Sequence, residues 1–518
     1  MSDSEGRFAI RNVTKWPVVL RSSKSGYIAG SFGQRYAGDA AVPLNETDAR
    51  EPLTVPLWPG AAVAGRLIDA AGEPIIGVRL QALRLQLVAG RLRFVARGAA
   101  TSDDRGQYRF SGLVPGSYVV ALPPDAKSGG LTSLSLYYPD TYSPDAAIRL
   151  ELGPGAERLN VDFTLGPAKG FDVRGRLRGL PQGRIATVGV YLQSADGSLA
   201  SLVVATESAN SADPFLFSRL VPGNYVVSVV SFPFVDASPG VARGRQKSDG
   251  SGLTGVVPGR GLPLARVSPE PTYWGEQSLA VADRAIENLV VPVTEGSRLR
   301  GRVTFEGSGS RPTPDNLLSM PVVIQTADGR DLGSFQLAGL DEDGGFQTVG
   351  FPPGRYIPFV FSGLEWFQGS VSVRGVAREA DWIEVGSGDV AGIEIRMTSA
   401  LTTLQGTVRT PDGVPLPRAT IYVFPEKESM WRDSGALILR LLECRSASNG
   451  RFSRPGIQPG RYYVVADADG AGEMWREPDV LRTLSRRGKA IEFRVGETTT
   501  LDLVAQPNRK RGSISERR

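Results

Sequence analysis

The chain has 518 residues, 41% of them hydrophobic and 22% charged, with 62 glycines, 37 prolines and a formal net charge of +5. That length accommodates three or four domains of roughly 150 residues, and the glycine and proline content favours many turns over long helices. The charge is weak and its 59 basic residues are spread along the chain, which argues against nucleic-acid binding. The complete absence of histidine removes the commonest general base, the Ser-His-Asp triad and most zinc sites.

A single cysteine, Cys444, leaves no intrachain disulfide and no cysteine-based metal cluster. It closes the apolar run 436–444 and reads as buried filler rather than a reactive thiol. No run of 18 apolar residues is present to span a membrane, and the N-terminus lacks the basic and apolar regions of a signal peptide. Neither a phosphate-binding G-x-x-x-x-G-K-[ST] loop nor a G-x-S-x-G elbow occurs, the serine-rich Gly307-Ser308-Gly309-Ser310 included.

In chain order, residues 1–13 already carry a pattern that returns. Ser2-Asp3-Ser4-Glu5-Gly6-Arg7-Phe8-Ala9-Ile10 lies at a constant offset over Ser102-Asp103-Asp104-Arg105-Gly106-Gln107-Tyr108-Arg109-Phe110. The chain thus starts in mid-repeat, and 1–57 is expected to be the C-terminal part of a module whose first strands, and any signal peptide, lie upstream. The competing reading is an N-terminal segment that adds an edge to the next module.

The fullest copy of the repeat is Thr101–Val120. Asp103 and Asp104 can accept amide hydrogens of a tight turn, and Gly106 supplies its positive φ. Gln107–Phe110 then alternates polar and aromatic residues, predicting a strand that buries Tyr108 and Phe110 on one face. Leu113 packs inward before Pro115-Gly116 turns the chain and Tyr118 opens the next strand.

Around this stretch a complete module of about seven strands is predicted over 58–166. Ala62–Asp69 is its opening strand, with Gly65 where chains approach closely, and a hairpin turns at Ala89-Gly90. The same order predicts modules over 167–295, 296–400 and 401–506, opening at Gly175, Gly301 and Gly406 and turning at Pro222-Gly223, Pro353-Gly354 and Pro459-Gly460. Between opening and turn glycine the spacing hardly varies. The Gly-, Pro- and Ser-rich segment 236–271 reads as a mobile insertion in the second full module, and 507–518 as a disordered basic tail. The fold class is therefore all-β, a tandem array of transthyretin- or immunoglobulin-like sandwiches.

An opening strand with G-x-V/L, a G-x-P turn, a D-x-x-G-x-Y/F turn and an L-x-P-G-x-Y turn, in that order, resemble the carboxypeptidase regulatory-like domain. The resemblance covers nearly all of 1–506. It implies a transthyretin-like sandwich of the carbohydrate-binding-like fold group, the non-catalytic partner of a zinc peptidase in some proteins and a tandem module of secreted and surface proteins in bacteria. It brings no catalytic residue and no cofactor. The expectation is a non-enzymatic, extracytoplasmic scaffold, spacer or protein-binding surface, whose partners are a glycan or another surface protein.

Two candidate sites remain. The acidic turns at Asp103-Asp104, Asp341-Glu342-Asp343 and Asp467-Ala468-Asp469 could gather oxygens around calcium, but lack a full loop with a closing glutamate, so turn chemistry is the expectation and no metal is assigned. Tyr137-Tyr138, Tyr273-Trp274 and Trp475 are each expected on a loop after a Pro-Gly-x-Tyr strand, where an exposed ring could stack on a sugar. Their recurrence at one module position equally fits a structural plug or an inter-module contact.

Overall fold

The computed structural model describes residues 2–505 apart from 14–17, 25, 38–40, 42–43, 45–51, 124–134, 167–169, 182–186, 195–202, 209–213, 233–270, 331, 333–336, 363–365, 379–380, 436–438 and 471–473. The expected insertion, except Pro271, and the expected tail lie outside the described residues.

The all-β expectation holds: four β-sandwiches follow one another, each built on one scheme. An opening strand lies between an antiparallel neighbour, which carries the aromatic residue that follows the repeat's turn, and a parallel closing strand. In the first, Ala61–Asp69 lies between Gln107–Leu113 and Phe163–Leu165. In the second, Phe171–Arg178 lies between Phe215–Leu220 and Ile286–Pro292. In the third, Ser297–Glu306 lies between Gly345–Phe351 and Val390–Thr398. In the fourth, Thr403–Arg409 lies between Arg451–Pro455 and the pair Thr498–Thr500 and Leu503–Val504.

The opening glycine is needed for that close packing. A Cβ would stand 2.0 Å from the Val161 carbonyl oxygen at Gly65, 2.2 Å from that of Ile393 at Gly301, 2.0 Å from that of Leu501 at Gly406, and 2.8 Å from that of Leu289 at Gly175. At each position backbone of the closing segment is in the way, and at Gly175 the Phe215 ring stands nearer still, at 2.3 Å.

The turn behaves as its residues dictate. The Asp103 carboxylate accepts the amides of Arg105 (3.0 Å) and Gln107 (2.7 Å), with Gly106 at φ 71°. Asp341 does the same for Asp343 (3.0 Å) and Gly345 (2.6 Å). Asn449 takes the place in the fourth sandwich, accepting from Arg451 N at 3.0 Å. Residues 3–7 form the same turn, Asp3 accepting from Glu5 (3.0 Å) and Arg7 (2.8 Å). There Phe8 and Ile10 are exposed, whereas their counterparts Tyr108 and Phe110 are buried. Farther along, Tyr27-Ile28 pairs antiparallel with Trp58-Pro59 at the start of the first full sandwich.

The second sheet of each sandwich is centred on the strand after Pro-Gly: Gly116–Leu122, Gly223–Phe232, Gly354–Val360 and Gly460–Asp467. In the first three the phenol of its tyrosine donates back to the carbonyl four residues earlier, Tyr118 to Val114 (2.8 Å), Tyr225 to Val221 and Tyr356 to Pro352 (2.7 Å). Burial pushes the phenols of Tyr225 and Tyr356 well above their ordinary pKa, so they stay donors.

These central strands are buried on both faces. Tyr118, Val120 and Leu122 point into the first sandwich core, while Val119 and Ala121 join an outer cluster with Leu83, Phe94, Tyr137 and Ala147. In the fourth sandwich, Tyr462, Val464 and Ala466 point inward, and Val465 faces an outer cluster of Tyr422, Phe424, Trp431, Trp475, Leu481 and Leu484. The cover there is the short helix Pro478–Ser485, which starts on proline and buries Leu481 and Leu484. Among the described residues no helix is long and apolar enough to cross a membrane.

Candidate functional site: the junction of the sandwiches

The five aromatic residues expected on exposed loops occupy packed positions, and the expected exposure is corrected accordingly. Tyr137 is fully buried on the strand Leu136–Tyr137, which pairs with Ala121-Leu122. Tyr138 meets Phe163 edge-on, ring centroids 5.8 Å apart. Tyr273 and Trp274 begin a nine-residue strand, Tyr273–Val281, rather than lying in a loop. Trp274 is buried and donates from Nε1 to the Gly350 carbonyl (2.7 Å), tying the second sandwich to the third. Trp475 packs on Tyr422 at 4.7 Å between centroids, with the Arg476 guanidinium 4.6 Å from its ring. The physical reason is the doubly apolar central strands: their outer faces need cover, and large rings supply it.

The acidic turns are occupied by backbone amides, as described for Asp103 and Asp341. Asp467 accepts from the amides of Asp469 (3.0 Å) and Gly470 (2.9 Å) and from the Arg487 guanidinium (3.0 Å). Among the described residues no cluster of three or more carboxylate or thiol groups is placed to hold a metal. Cys444 packs beside the fourth core, and burial pushes its thiol up to about 12, far from a reactive thiolate.

The structure's main polar constellation, which sequence reasoning missed, joins the first, third and fourth sandwiches at Asp433. The hairpin at Ala89-Gly90 reaches the 427–435 segment. There Asp433 donates its amide to the Ala89 carbonyl (3.0 Å) and pairs its carboxylate with Arg91 (2.9 Å). From the third sandwich, Trp382 Nε1 donates to the Asp433 carbonyl (3.0 Å), and Arg355 lies over the Trp382 ring and 3.8 Å from the Asp433 carboxylate. Gly435 N donates to the Ala327 carbonyl (2.9 Å), and Arg93 donates to that of Asp328 (2.9 Å). Gly90 has φ 75° and sits so close to Trp431 and Arg432 that a Cβ would meet the Trp431 carbonyl oxygen at 2.6 Å. The hairpin tip is shaped to fit this junction.

Beneath it lies a buried ion pair between the third and fourth sandwiches. Arg440 donates from Nε (3.0 Å) and Nη2 (2.8 Å) to one carboxylate oxygen of Asp381, and from Nη1 to the Pro459 carbonyl (3.1 Å) and the Tyr462 hydroxyl (2.8 Å). The two charged side chains are only 12% and 4% exposed. Burial works against the Arg440 charge, but Asp381 and Tyr462 outweigh it and hold the guanidinium above its ordinary pKa. Tyr462 is the fourth copy of the repeat tyrosine, here bonded to an arginine that reaches across to the neighbouring sandwich. Arg440 lies within the apolar run 436–444, and no motif marks it.

Residues 403–506 match the family model of the carboxypeptidase regulatory-like domain. No curated protein matches the chain. Among solved structures the chain is similar to a streptococcal ancillary pilin, with 11% identity over 65% of this chain and 99% of that one and a TM-score of 0.21. It is also similar to the full-length RrgB pilus protein of Streptococcus pneumoniae, with 10% identity over 88% and 99% and a TM-score of 0.16. A third is the fimbrial anchor protein Mfa2 of Porphyromonas gingivalis, with 13% identity over 37% and 82% and a TM-score of 0.19. The opening glycine, the Pro-Gly-x-Tyr turn and the parallel closing strand of the matched region recur in the three sandwiches before it, so the chain is a tandem array of β-sandwiches whose last one matches the carboxypeptidase regulatory-like domain.

Proposed function

We propose that this protein is a non-catalytic, extracytoplasmic scaffold in which consecutive modules, bounded near 58–166, 167–295, 296–400 and 401–506, are locked into one block that presents surfaces to a protein or glycan partner. The observation that carries this reading is the convergence of three sandwiches on Asp433. Modules that served only as a flexible spacer would need no such junction, since loosely tethered neighbouring domains move by default. The recurring residues of the repeat are used in turns, in close strand packing and in the tyrosine bonds. The chain contains no histidine to serve as a base.

The reading is tested in the native host and with purified protein. The chain should be recovered outside the cytoplasm, and the purified protein should turn over none of a panel of peptide, ester and glycoside substrates. Cytoplasmic recovery, or turnover that co-purifies with the folded protein, would contradict it.

A further inference from the structure

The outer face of one sheet of the second sandwich carries a row of arginines. The opening strand Phe171–Arg178 is the central strand of that sheet, between Phe215–Leu220 and Ile286–Pro292. Along it Val173 points into the core, whereas Arg174, Arg176 and Arg178 alternate onto the other face and are exposed. Successive arginines of the row are thus ~6.7 Å apart and the row runs ~13 Å. Its backbone is held by a neighbouring strand on each side.

Carboxylates answer this row at one end only. Glu287 stands 3.7 Å from Arg174 with both side chains more than half exposed, so that pair is weak and readily exchanged. Asp172 accepts the Arg219 amide at 3.0 Å. Beside Arg176 and Arg178 the closing strand offers Val290 and Pro292, and neither arginine has a hydrogen bond or ion pair among the described residues. The plan of the sandwich does not require such a row. In the third, Arg300 pairs with Asp389 (3.1 Å) and Arg396 with Glu306 (3.2 Å) and Glu394 (3.5 Å). In the fourth, neutral Gln405 and Thr407 flank the opening glycine where Arg174 and Arg176 flank it in the second.

We propose that this face binds a linear acidic polysaccharide, whose carboxylates are taken by Arg176 and Arg178 and, in exchange for Glu287, by Arg174; the proposal names a partner for the scaffold described above and rests on that reading. The planar fork of each guanidinium matches a carboxylate, and a straight row on a fixed strand matches a chain charged at regular intervals. Leu216, 40% exposed and paired opposite Arg174, joins Val290 and Pro292 in offering apolar ground for the C–H faces of sugar rings. An anionic lipid surface is engaged by clusters of roughly four to eight cations, and duplex DNA by roughly six to ten phosphate contacts, so three arginines suit neither.

Calorimetric titration of the whole chain with oligogalacturonate, uncharged dextran and a short DNA duplex tests this. Oligogalacturonate should bind in preference to the other two. Arg176→Glu with Arg178→Glu, at exposed positions, should weaken it at least tenfold with the thermal unfolding transition unmoved. The two lysine substitutions should fall between, because they keep charge without the fork. The same charge change on other opening strands, Arg302→Glu with Arg409→Glu, should alter binding less than about twofold. No oligogalacturonate binding at about 10 mM, equal loss in the two glutamate pairs, or unchanged binding in the first would each overturn the proposal. Dextran or DNA bound as tightly would overturn the assignment to an acidic glycan. A chain that fails these titrations yet is recovered outside the cytoplasm and turns over no substrate refutes this site alone, whereas cytoplasmic recovery refutes the scaffold reading beneath it.

Discussion

Replacing Asp381 by alanine should destabilise the protein by about 3–5 kcal/mol, because it strands the Arg440 charge between two sandwiches. Arg440 is 12% exposed and would keep only the Pro459 carbonyl and the Tyr462 hydroxyl, neither of which neutralises it. The loss belongs to the unpaired charge rather than to the net worth of the pair. Removing both charges together, as Asp381→Ala with Arg440→Met, should therefore recover most of it. Calorimetric unfolding of the single and double variants decides the matter. A single variant that unfolds within about 1 kcal/mol of the parent would mean that the pair is solvated and does not join the two sandwiches. A double variant no better than the single one would mean that the cost comes from lost packing.

Gly406→Ala is expected to cost about 3 kcal/mol or to prevent folding of the fourth sandwich, at the upper end for overpacking a core. Its new methyl would stand 2.0 Å from the Leu501 carbonyl oxygen and 3.2 Å from the Phe452 ring. The carbonyl belongs to the segment between the closing strands Thr498–Thr500 and Leu503–Val504, so it cannot retreat without giving up the parallel pairing. Gly153→Ala provides the contrast, since nothing lies within 4 Å of its added methyl. That change should leave stability within about 0.5 kcal/mol. Equal effects at the two positions would show that the opening glycine is not a packing requirement of the repeat.

What was legible in the sequence was the repeat itself. Asp103, Gly106, Tyr108, Phe110 and the Pro115-Gly116 turn each act through local chemistry, an Asx-type turn, a positive φ and a two-residue alternation, and local chemistry can be read one residue at a time. The hairpin at Ala89-Gly90 was legible for the same reason, Ala89 and Gly90 having φ of 52° and 75°. Harder to read were strands apolar on both faces. In Gly116–Leu122, and in Thr420–Pro425 and Gly460–Asp467, the run of apolar and aromatic residues was itself the sign that a second layer covers the sheet, and with it that Tyr137 and Trp475 would be buried. The helix Pro478–Ser485 left only its proline start, Asp479 in the first turn and the spacing of Leu481 and Leu484. Asp433 and Arg440 could not be found from sequence, because their partners Ala89, Arg91, Trp382 and Asp381 are brought to them by the packing of whole sandwiches.

That packing is the central claim, and a distance between the first and fourth sandwiches tests it most directly. Spin labels on Leu92→Cys and Arg432→Cys, both exposed, would report it in a Cys444→Ser background, since native Cys444 is only partly buried. With the Ala89-Gly90 tip against Trp431 and Arg432, the labels should lie within about 25 Å in a single narrow distribution, two residues of extended chain adding only ~7 Å. An open row of sandwiches, with strands of ten residues spanning ~33 Å each, would part them by roughly 60 Å or more. A distribution centred there, or spread broadly between the two, would contradict the account.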